Sequence, residues 1–162
     1  MTILGKSIAV TYAKGTSEKD RQSALAAIKA AAELINNNAS KLTDAEKSSI
    51  ANITTIDVDP TASRSSADVS TGTFHANSAQ LAEGTPRFAT DIAHDGFHIT
   101  QWKSSRSYTG GPAESEATYF QIGVGRKVGL SEDDIKILKN YADHIEKFRD
   151  YWHAPVTHSK TH

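Results

Sequence analysis

Apolar residues recur along this chain with two periods, and the alternation between them marks out its elements. Lys6 to Ala13 (KSIAVTYA) mixes β-branched and aromatic residues and stops at Lys14-Gly15, which predicts a strand. Ser17 followed by Glu18 and Asp20 offers an N-cap and first-turn acids. Leu25, Ile28, Ala32 and Ile35 then recur every three or four residues until Asn36-Asn37-Asn38, predicting an amphipathic helix. Thr43-Asp44-Ala45-Glu46 has capping-box spacing and opens a short second helix. Ile53 to Asp59 (ITTIDVD) and the segment around Asp68 to Asn77 read as strands, able to pair across the intervening Ser/Arg-rich turn in a small, three-stranded sheet.

From Pro86 to Trp102 the period becomes helical, with Phe88, Ile92, Ile99 and Trp102 on one side. A polar, glycine-rich connection (Lys103 to Gly111) follows. Pro112 then opens another helix, whose Ala113, Ala117, Phe120 and Val124 can face a core. Gly129 punctuates it, Ser131 caps the next helix, and Ile135, Leu138, Ala142, Ile145, Phe148 and Trp152 predict one long apolar stripe. The expected fold is α+β, with strands in the first half and three helices in the second, as one domain over residues 1–155 and a polar tail over 156–162.

Composition narrows the class of protein. A chain of 162 residues suits one core, and 38% hydrophobic with 23% charged residues is ordinary for a globular protein. A net charge of −1 without a long basic block argues against nucleic acid and anionic membranes as partners. The N-terminus lacks the pattern of a secretory signal and no segment has the length of a membrane span. The expectation is therefore a soluble protein, cytoplasmic by default or exported by a signal-independent route. With no cysteine, any metal must be held by His, Asp or Glu.

That directs attention to the seven histidines. His94 and His98 stand four apart in HDGFH on a predicted helix, so their rings can meet one metal ion from successive turns. Glu114 lies in the first turn of the following helix, and the Gly110-Gly111-Pro112 corner permits that helix to fold back onto the pair. Glu116 is the competing carboxylate; i and i+2 point apart, so the two do not readily serve together. Two histidines and one carboxylate leave a fourth position for water, a hydrolytic arrangement. His75, His144, His158 and His162 read as surface residues, and Tyr141, Phe148 and Tyr151 as core.

HDGFH (His94 to His98) and ESEA (Glu114 to Ala117), in this order of elements, resemble the zincin metallopeptidases whose third ligand is a glutamate, the gluzincins. The likeness spans roughly residues 45 to 125. It implies a zincin-like minimal core, a zinc ion held by His94, His98 and Glu114 (the family glutamate stands three before an alanine, here Ala117), and a peptide or protein substrate. It also implies that Ser70 to Leu81 is the edge-strand region lying along that substrate. Where the family pattern HExxH has its general base, this chain has Asp95, whose carboxylate is retracted by about 1.5 Å. Misplacement by about 1 Å can cost on the order of a hundredfold in rate. Asp91, three residues before His94, is the candidate to orient a ligand imidazole. Tyr108 is the first candidate to steady the oxyanion and His153 the second.

The two expectations are thus a zinc metallopeptidase with Asp95 as base, and a zincin-fold binding or structural module with weak or lost catalysis. A metal-dependent phosphohydrolase, which also uses an His-Asp dipeptide, would need a further His on an upstream helix, and His75 falls in a predicted strand.

Overall fold

The computed structural model describes residues 1–149 and has the mixed α+β architecture that the periodicities predict. Strands β1 (Thr2–Ile3) and β2 (Lys6–Ser7) form a hairpin through Leu4-Gly5. The expected strand from Lys6 is therefore divided: Lys6–Ser7 turns back on the N-terminus, and only β3 (Ala9–Tyr12) enters the main sheet. Helices α1 (Glu18–Asn37), capped by Ser17, and α2 (Asp44–Ile50), opened by a capping box between Thr43 and Glu46, lead to β4 (Thr55–Val58).

The main sheet has four strands rather than three, in the order β3-β4-β6-β5. β3, β4 and β6 (Thr73–Ala76) are parallel, and β5 (Ser66–Asp68) runs antiparallel to β6 at one edge. Two expectations change here. The predicted pairing of the two extended segments exists, but it is parallel, because the chain between them makes a further strand, β5, after the Ser/Arg-rich turn. The edge is β5, so within Ser70 to Leu81 the strand β6 is interior, bonded on both sides, and Ser78–Leu81 is a short helix, α3.

Helix α4 (Thr85–Lys103) is the centre of the molecule. It packs against α1, α2, α5 (Gly111–Val128) and β5, so it is buried on several faces, whereas a surface helix buries one stripe. Phe88, Ile92 and Ile99 join Ile28, Ile35, Ile56, Val58 and Phe74 in one core, with the rings of Phe74 and Phe88 5.9 Å apart. Trp102, expected on the same apolar side of this helix, is instead 41% exposed at its end. On the α2 side the contact is backbone to backbone: a Cβ on Gly96 would stand 2.3 Å from the carbonyl oxygen of Ser49. Only glycine allows this approach, which Asn52 and Thr100 reinforce by a 2.9 Å hydrogen bond.

α5 ends in left-handed Gly129, and Ser131 caps α6 (Glu132–Asp143). The long final helix predicted to reach Trp152 instead stops at Asp143 and gives way to a 3-10 turn (Ile145–Phe148), which folds Phe148 onto Tyr141 with ring centres 5.0 Å apart. Trp152, Tyr151, the boundary at residue 155 and the 156–162 tail lie outside the described residues. Within those residues, no helix is long and apolar enough to cross a membrane.

Candidate metal centre

α4 and α5 are antiparallel neighbours joined by the glycine-rich connection, and both line a cavity of about 840 Å³. Gly110, at φ 86°, makes the left-handed corner that starts α5, and Pro112 sits in its first turn. This reversal brings Glu114 against the histidines of α4. The Nε2 atoms of His94 and His98 are 3.1 Å apart, and the two oxygens of Glu114 straddle them, each 3.4 Å from one imidazole. One donor atom from each of the three residues lies within 4.8 Å of the others, so the group can hold a metal ion. Donors sharing a tetrahedral ion at bonds of 2.0–2.2 Å stand about 3.3–3.6 Å apart, close to the spacings of this cluster.

The electrostatics point the same way. Burial opposes charge on Glu114, yet the two imidazoles overcome it and hold its carboxyl well below the ordinary range. Burial likewise opposes charge on His98, and Glu114 and Asp95 outweigh it, raising the imidazole pKa. Both shifts say that positive charge is favoured between these side chains. A divalent cation would fit that need.

Glu116, the competing carboxylate, points out of the cluster. It accepts from the Arg106 guanidinium and from Gln101 Nε2 at 3.0 Å, and these hold its carboxyl below the usual range. Asp95 turns into the cavity beside the pair and is 5% exposed. Its burial raises the carboxyl pKa; His94 and His98 counter this and Glu114 adds to it. Tyr108, on the connection between the helices, lines the same cavity and is exposed. His153 falls outside the described residues.

Asp91 does not orient His94. Its oxygens accept from Gln121 Nε2 at 2.7 Å and Gln80 Nε2 at 3.3 Å, and Arg87 Nε lies 3.6 Å away. His94 Nδ1 is buried and makes no hydrogen bond within the described residues. The oriented ring is His98, whose Nδ1 is 2.9 Å from Gln101 Oε1. The signal for Gln101 in the sequence is only its place three residues after His98, on the same helical face. Of the other histidines, His144 is exposed, whereas His75 is partly buried on β6 with Nδ1 3.0 Å from Asp57 Oδ2. Tyr141 and Phe148 line the cavity rather than the main core, and with Leu138 they give it an apolar wall; Ala67 and Val69, near the sheet edge, line it too.

Comparison of the chain with family models, with curated proteins and with solved structures gives no match. The function is therefore argued from the residues of the site.

Proposed function

We propose that this protein is a zinc-dependent metallopeptidase of zincin-like type, with His94, His98 and Glu114 as the metal ligands. The observation that carries the reading is the convergence of two imidazole nitrogens and a carboxylate at 3.1–3.4 Å in the lining of a large cavity. Two nitrogens and one oxygen suit zinc, and three protein ligands correspond to a catalytic rather than a closed structural site. A zinc ion bound there supplies Lewis acidity and a water of lowered pKa.

The remaining steps belong to the chain. Asp95 would be the proton acceptor: a buried carboxylate with a raised pKa is a better base than a solvated one, and Asp95 lines the same cavity as the three ligands. The Tyr108 hydroxyl can donate to the oxyanion that develops on the substrate carbonyl. β5 lines the cavity through Ser66 and Ala67 and has its outer edge outside the sheet, so it can add an extended peptide as a further strand. The apolar wall of Leu138, Tyr141 and Phe148 would receive a side chain of that peptide.

The alternative is a zincin-fold binding or structural module in which the metal serves stability. The substitution of Asp for Glu at position 95 favours it, since the shorter arm must reach further. Metal analysis of untagged protein, with Asp95→Asn and a His94→Ala/His98→Ala double variant alongside, separates the readings. The enzyme reading expects about one zinc per chain in wild type and in Asp95→Asn, none in the double variant, and loss of peptide cleavage by about 10²–10⁴-fold in Asp95→Asn. Zinc without any cleavage, and a melting temperature lowered by chelation, would leave the structural module. Unchanged turnover in Asp95→Asn would remove the general-base role.

A further inference from the structure

Gln101 is fully buried where α4 meets the start of α5. Its amide nitrogen donates to the carbonyl of Ala113 at 3.2 Å and to Glu116 Oε2 at 3.0 Å. Both of those atoms can only accept, so the amide cannot be turned over without setting its oxygen against two acceptors. Its Oε1 is consequently directed at His98 Nδ1, 2.9 Å away, and that nitrogen must carry the proton. A neutral imidazole protonated at Nδ1 keeps its lone pair on Nε2, the atom that faces His94 and Glu114.

We propose that Gln101 is a positioning residue, which sets the tautomer and ring orientation of His98 and thereby prepares Nε2 to bind a metal. Its consequence for metal affinity rests on the zinc reading above; its effect on the tautomer does not. The direction of control runs from α5 to α4. Glu116 and the Ala113 carbonyl lie either side of Glu114, so the turn that presents the carboxylate ligand also orients one of the histidine ligands. Arg106, paired with Glu116, extends the same network to the connection that bears Tyr108. His94, whose Nδ1 makes no hydrogen bond within the described residues, has no equivalent, so His98 is the preoriented ligand of the two.

The test uses Gln101→Met, which keeps the volume and removes both hydrogen-bonding ends, and the exchange Gln101→Glu/Glu116→Gln. In the exchange, the carboxyl at position 101, held neutral by burial, accepts from His98 Nδ1 with its carbonyl oxygen and donates its O–H to the Ala113 carbonyl, while the amide at position 116 accepts from Arg106. Long-range proton–nitrogen NMR on metal-free full-length protein, at a pH where the His98 imidazole is neutral, reads the tautomer, and chelator competition reads zinc affinity. Wild type should show His98 protonated at Nδ1. Gln101→Met should mix the tautomers and weaken zinc about 10–100-fold, and the exchange should restore the tautomer and most of the affinity. A His98 that stays protonated at Nδ1 in Gln101→Met, or zinc affinity within about twofold of wild type there, would overturn the proposal. If Gln101→Met does not fold, a mixed His98 tautomer in the exchange variant overturns it equally. Wild-type protein that takes up no zinc yet shows the tautomer would reject the metal reading alone.

Discussion

The polar face of α4 has two ends, and they are built on opposite principles. At the N-terminal end Asp91 is surrounded by donors: Gln121, Gln80 and Arg87 all approach its carboxylate. One turn further, the imidazoles of His94 and His98 meet the carboxylate of Glu114 with nitrogen and oxygen atoms 3.1–3.4 Å apart. Both ends are buried, acidic and on one helix face, and the sequence alone does not distinguish them. The difference is satisfaction. A buried carboxylate supplied with N–H groups is part of the scaffold, whereas lone pairs converging on one point call for a cation.

The sharpest way to break this contrast is to remove one carboxylate from the metal end and one donor from the other. Glu114→Ala should abolish stoichiometric zinc in metal analysis. Gln121→Leu should leave zinc content unchanged and instead cost about 1–3 kcal/mol in urea unfolding, because Asp91 loses its shortest hydrogen bond in a buried setting. Zinc lost equally in both variants would show that the two ends are one functional unit.

Smaller, and directed at the backbone that carries both ends, is Gly96→Ala. The added Cβ would meet the Ser49 carbonyl at 2.3 Å and push α4 off α2, at a cost of about 1–3 kcal/mol. The melting temperature should fall by about 2–4 °C for each of those kcal/mol, followed by circular dichroism. No change in melting temperature would mean that the α2 contact is looser than the structure places it.

The smallest effect is a pH dependence at the donor-rich end. Burial, then the nearby Glu83, raises the Asp91 pKa well above its ordinary value, with Arg87 opposing. An acid whose folded-state pKa lies above its unfolded value of about 3.9 binds its proton more tightly in the native protein, so stability falls as pH rises through that interval. Asp91→Asn carries no proton to lose. Its unfolding free energy relative to wild type should therefore improve steadily from about pH 4 upward, measured by urea titration at several pH values. A constant difference across pH would remove Asp91 as the titrating group.

Much of this protein was legible from its residues taken in order, and the reason is that those signals are local. The Ser17 and Ser131 caps, the Thr43–Glu46 capping box, the glycine stop at 129 and the four-residue spacing of His94 and His98 each act within one or two turns of chain. What needed the tertiary structure depended on partners distant in sequence. β5 became the edge because a parallel pairing of β4 with β6 requires a crossover, which a hairpin reading of the same residues leaves out. Trp102 lost its place in the core because α4 is enclosed by helices and sheet elsewhere along its length, and its end is not. The roles of Glu114 and Glu116 were divided by the crossing of α4 and α5, which aims one carboxylate inward at two imidazoles and hands the other to Arg106 and Gln101. The sequence by itself determined which side chains could bind a metal, through their chemistry and helical spacing; the packing of two helices against each other decided which of them meet, because hydrogen bonds and donor geometry are set over a few ångströms in space.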